Sequence, residues 1–189
     1  MQRFERGVKK HDPKPEAPKS KIALKNDKGT IIQFKLDKQI FGETTINEDR
    51  IHKEMNDLAN LNPGITIVVV IDDETTQYLS NNGLIDMLIT KDTEKSILGK
   101  PFEFKKKGEL DLVLCWADDS ETITHSYVNS SHTAQEGTHV QGARAAVLEA
   151  LKGELPDSDK LDPKFFLKGM RLAMNWRMDN PIYYGQTKD

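Results

Sequence analysis

From Met170 to Met178 apolar and polar positions alternate. Met170, Leu172, Met174, Trp176 and Met178 fall on one side, and Arg171, Ala173, Asn175 and Arg177 on the other. That period of two predicts a strand, with the methionines as adaptable core filling. Leu110 to Trp116 repeats the pattern, with Leu110, Leu112, Leu114 and Trp116 on one face. Strands are also predicted at 31–36, at Phe102–Phe104 before the Lys105–Gly108 turn, and at Thr122–Asn129. Ile65–Ile71 is almost continuously apolar and β-branched, which suits a central strand covered on both faces. The Asp72-Asp73-Glu74 stretch is the polar turn that follows it.

Helical spacing appears in three places. Thr45 with Glu48 has capping-box spacing, and Ile51, Met55, Leu58 and Ala59 then share a face until Asn62-Pro63-Gly64 stops the helix. A second helix is predicted from about Thr76 to Ile89, with Leu84, Met87 and Leu88 buried and Gly83 weakening it. A third begins at Thr138 with Gln141 and buries Val140, Ala143, Val147 and Leu151. The 91–100 and 153–162 stretches read as loops. Lysines with Pro13, Pro15 and Pro18 make residues 8–27 an extended lead-in or exposed loop. Three successive strands with short turns imply an antiparallel meander, so the fold class is α+β.

Composition narrows the classes without choosing one. The 189 residues are 37% hydrophobic and 30% charged, with net charge −3. That fits a globular domain and excludes a uniformly basic nucleic-acid binder. No apolar run reaches a membrane span of about 20 residues, and the start has no signal-peptide core. The single cysteine, Cys115, sits in an apolar run and fits a reducing, cytoplasmic setting.

Motifs for independent chemistry are missing. His125, Ser126 and Asp118 have nothing to fix them as a catalytic triad. His132 and His139 lack partners at zinc-ligand spacing. There is no phosphate-binding loop and no dinucleotide fingerprint.

Five blocks, taken in order, resemble the transducer domain of type IIA DNA topoisomerase B subunits (gyrase and topoisomerase IV). They are Gly29-Thr30 with Phe34, Asp37 and Ile40-Phe41; Leu58-Ala59 with Leu61-Asn62-Pro63-Gly64; and Tyr78, Gly83-Leu84 and Leu88. The fourth, most distinctive, is Ser126-Tyr127-Val128-Asn129 with Thr133, Gly137-Thr138-His139, Gly142 and Arg144. The last is Asn180-Pro181, Tyr184 and Gly185-Gln186-Thr187-Lys188. Three positions depart from the family. Glu136 replaces the first of two glycines before Thr138, where a side chain disfavours φ > 0. His132 stands for Asn or Pro, and Ala143 for a bulkier apolar residue.

The resemblance implies a mixed, largely antiparallel sheet with helices on one side, like the second domain of a small-subunit ribosomal protein. Residues 1–28 would be a lead-in from a preceding ATPase domain and an exposed loop, and 29–189 the transducer domain. It implies that Gln186 and Lys188 contact the γ-phosphate of ATP, with Mg²⁺, in that neighbouring GHKL-type domain. The site is then shared across a domain boundary, and the fragment alone holds no cofactor and is inactive. Arg144 is implied to line the cavity for a DNA duplex, and Arg171 and Arg177, sharing a strand face, could add phosphate contacts. The implied partners are DNA, the topoisomerase A subunit and a second copy of the B-type chain. The alternatives are a middle domain of another GHKL clamp, of mismatch-repair or chaperone type, and a stand-alone interaction module.

Overall fold

The computed structural model describes residues 2, 4–5, 7–12, 28–155 and 162–183. The chain forms two compact units, residues 1–51 and 52–189.

In the first unit, β1 (Phe4–Glu5) pairs antiparallel with β2 (Val8–Lys9). Helix α1 (Lys38–Phe41) starts where the Asp37 carboxylate accepts the Gln39 amide, and it ends at Gly42. Residues 31–36 form no strand, contrary to expectation. Ile32 is 83% exposed and Phe34 67%. A period of two specifies which face is apolar, but a strand also needs a ladder partner. Among the described residues nothing pairs with this stretch.

Helix α2 spans Glu48–Leu61. Its cap is Asn47 rather than Thr45. The Asn47 side-chain oxygen accepts the Arg50 amide at 3.0 Å, and its carbonyl accepts Ile51. Hairpin β3 (Ile67–Ile71) and β4 (Glu74–Tyr78) turns on Asp72 and Asp73, at φ 46° and 71°. Positive φ at both central residues is the primed-turn geometry that matches strand twist. This β-branched run is therefore half of a two-stranded ribbon rather than a central strand. Strand β4 also takes over the start of the expected second helix, because Thr75, Thr76 and Tyr78 favour a pleated strand. What remains helical is α3, Leu84–Leu88, entered from Gly83 at φ 66°.

The principal sheet contains β5 (Ile97–Lys106), β6 (Leu110–Ala117), β7 (Ile123–Val128), β8 (Ser131–His132) and, after two helices, β9 (Met170–Trp176). The helices are α4 (Thr138–Glu154) and α5 (Pro163–Leu167), the latter capped by Asp162 inside the stretch expected to end a loop. Strand order is β5-β6-β9-β7-β8. The expected meander is broken because β9 lies between β6 and β7. It runs antiparallel to β6 and parallel to β7, so the sheet is mixed and the class α+β as expected. A parallel neighbour demands a long crossover, and α4 with α5 supplies it.

Helices cover both faces of the sheet, not one. On one side Ala173, Val113, Cys115 and Tyr127 pack with Leu61 of α2 and with Leu84 and Leu88 of α3. On the other, Met170, Leu172, Met174 and Leu114 pack with Val140, Ala143 and Val147 of α4. Strand β9 is buried on both faces, as a central strand must be. Beside α4 an open apolar groove of about 1270 Å³ runs past Phe102, Leu112, Trp176, Met178 and Ile182. None of the described helices is long and apolar enough to cross a membrane.

Candidate functional site

The blocks singled out between Ser126 and Tyr183 meet at one end of the sheet, where β7, β9 and the start of α4 come together. Strand β7 turns into β8 on Asn129 and Ser130, at φ 50° and 61°. Asparagine tolerates this conformation better than most residues with a side chain. Its side chain then acts like a peptide group. Asn129 Nδ2 donates to the Met178 carbonyl at 2.9 Å, while Oδ1 accepts the Met178 amide at 3.0 Å. The Ser130 amide donates to Asn175 Oδ1 at 3.1 Å, so the turn is tied both to β9 and to the chain just beyond it. Further along, Tyr183 Oη donates to the Val128 carbonyl at 2.9 Å. The last described residue is thereby pinned to the sheet. Gln186 and Lys188, the expected phosphate contacts, lie outside the described residues.

A second set of bonds joins this corner to α4. Ser126 Oγ, almost wholly buried, lies 2.5 Å from Thr133 Oγ1, and Thr133 Oγ1 lies 3.2 Å from His139 Nε2. Strand pleating sends His125 to the opposite face from Ser126, so the two cannot act as base and nucleophile. Burial holds the His139 imidazole below its ordinary pKa, against the opposing charge of Glu136. The expected capping box at Thr138 does not form. Gly137 is the cap, with no side-chain bond, and its carbonyl accepts Val140 and Gln141.

Glu136 does adopt φ 49°, and its carboxylate grips Arg144. Arg144 Nη1 donates to Oε2 at 2.5 Å, and Nη2 donates to Oε1 at 2.8 Å and to Thr124 Oγ1 at 2.9 Å. Arg171 is only 4% exposed and donates to Asp119 at 2.5 Å. Arg177 sits 2.8 Å from Asp111. Arg144 lies on the α4 face of the sheet. Arg171 lies on the other face of β9, and Arg177 follows just past the end of that strand. Each of the three arginines therefore has its own carboxylate, and they form no single cluster. The sequence did not announce these pairs, because the partners are 8, 52 and 66 positions away.

On the opposite face, Tyr127 Oη donates to Asp57 Oδ2 at 3.1 Å, fastening α2 to β7. Burial, with the Asp57 carboxylate beside it, drives the Tyr127 phenol well above its ordinary pKa. Burial also lowers the His125 imidazole, opposed by Asp57 and assisted by His132 and Lys53. Among the described residues no three His, Cys, Asp or Glu side chains gather as metal ligands.

The family model described as DNA gyrase B matches residues 68–189, which take in this whole corner. The chloroplastic/mitochondrial gyrase B protein of Nicotiana benthamiana is 26% identical over 185 residues, covering 88% of this chain and 25% of that protein. The corresponding protein of Oryza sativa subsp. japonica is 31% identical over 178 residues, covering 85% and 24%. The chain thus spans about a quarter of the length of these relatives. Its backbone also resembles the crystal structure of the gyrase B protein of Myxococcus xanthus. There the TM-score is 0.61 at 23% identity, covering 80% of this chain and 46% of that one, a likeness of fold.

Proposed function

The chain belongs to the DNA gyrase B family, and from that premise we propose that it is the transducer domain of an ATP-dependent type IIA topoisomerase. Its work is to pass the nucleotide state of a neighbouring GHKL ATPase domain to DNA strand passage. The observation that carries this reading is the family match, which takes in the Ser126–Asn129 corner and extends to residue 189.

A triphosphate's terminal group carries concentrated negative charge, and a lysine ammonium on a long stem meets it as a point charge. Lys188 supplies that cation and Gln186 an amide donor beside it. Charge developing during hydrolysis is stabilised by such contacts. Because Asn129 and Tyr183 tie the chain to the sheet just before this loop, movement at the phosphate reaches a rigid body. Gain or loss of the phosphate then biases one domain against the other. Mg²⁺ belongs with the ATPase domain in this reading.

Arg144 and Arg177 are the members of the arginine set with part of the side chain exposed, 27% and 37%, and so the ones proposed to meet a duplex phosphate, whereas Arg171 is committed to the interior. The domain works in the cytoplasm within a dimer of B-type chains, joined by the topoisomerase A subunit. The full-length protein, supplied with that A subunit, should change the linking state of a closed DNA circle only when ATP is present. The 189-residue chain alone should show neither ATP hydrolysis nor a change in topology. Hydrolysis by the short chain, or an ATP-independent full-length protein, would overturn the assignment.

A further inference from the structure

We infer that Glu136 is an internal counter-ion that occupies the phosphate-facing edge of Arg144 and sets how tightly duplex DNA is held there. The inference rests on the proposed reading of Arg144 as a residue of the DNA cavity.

A guanidinium offers anions two edges, Nη1/Nη2 and Nε/Nη2. In Arg144 the Nε group is buried and has no partner among the described residues, so an external ligand cannot use that edge. The other edge faces outward, with the arginine side chain 27% exposed and Glu136 34% exposed. It is filled by the Glu136 carboxylate in the two-point geometry that a phosphate would take. Thr124 Oγ1 also accepts from Arg144 Nη2 at 2.9 Å, a contact that does not depend on Glu136. The backbone does not require this residue. A side chain in the left-handed region is disfavoured, and glycine would adopt φ 49° without penalty. What Glu136 adds to the turn is its charge. A phosphate approaching Arg144 meets that carboxylate first, and binding must displace it.

Four forms of the full-length protein test this: the native protein, E136Q, R144A and the double variant E136Q/R144A. Each is titrated with a blunt DNA duplex across a range of salt concentrations. Releasing a pair about a third exposed corresponds to a gain of about fivefold in affinity for E136Q. The slope of log affinity against log salt should steepen by about one, because one more phosphate is neutralised. R144A should weaken binding and flatten that slope, and in the double variant the E136Q gain should vanish. E136G, which also relieves the left-handed side chain, should reproduce the gain if E136Q folds poorly. R144A weakening binding while E136Q and E136G leave it unchanged would overturn the counter-ion role and spare the cavity assignment. A gain that persists without Arg144 would also overturn it. R144A binding like the native protein would overturn the cavity assignment itself.

Discussion

Gly169, which leads into β9, shows how much one missing side chain can matter. It sits at φ 72°, and a Cβ there would lie 2.5 Å from the Ala117 carbonyl oxygen and 2.7 Å from that of Asp119. Both neighbours are backbone, so neither can step aside. Gly169→Ala should destabilise the fold by roughly 1–3 kcal/mol, read as a lower urea midpoint at constant slope. An unchanged midpoint would mean that the entry to β9 has room for a side chain after all. Nothing in the local sequence marks this glycine as different from Gly153, where a Cβ meets open space. Asn129 is similar. The resemblance picked it out, yet its bonds to Met178 span 49 positions and are invisible to any local pattern.

Elements were legible where their apolar face meets a partner nearby in space. The alternation in β6 and, as far as Trp176, in β9, and the apolar face of α4, appear in the structure as read, because each faces one continuous core; Met178 lies past the strand and is 44% exposed. The pattern misled at residues 31–36, where the apolar run has no ladder to join, and at β3, where a β-branched run reflects hairpin pairing. Order within the sheet was not legible either. Nothing in β9 itself says that it inserts between β6 and β7, since that depends on the α4–α5 crossover. Docking of α2 and α4 on the sheet has a pH signature. Burial holds the His125 and His139 imidazoles below their ordinary value. As pH falls through about 6.5, the unfolded chain therefore takes up protons before the folded one does. Stability should be full above that pH and decline below it. His125→Gln should flatten part of the decline in urea midpoint between about pH 7 and pH 5. An identical pH profile for the two proteins would show that His125 is not held neutral by the fold.

At the scale of the molecule, the chain is a quarter of its relatives' length, and its net charge of −3 leaves no general attraction to DNA. Each arginine proposed to meet the duplex, or considered for it, carries an acidic partner. The sequence held both members of every pair but could not say that they meet. What the fold provides is a sheet to which the chain is pinned at Tyr183; in the proposed reading, the loop beyond it that bears Gln186 and Lys188 meets a phosphate held in another domain. That loop carries the central claim, and Lys188→Ala in the full-length protein tests it most directly. Hydrolysis of ATP should fall by about 100-fold or more, the scale of losing one preorganised charge contact at a reacting phosphate, while nucleotide affinity changes little. Native turnover from the Lys188→Ala protein would contradict the account.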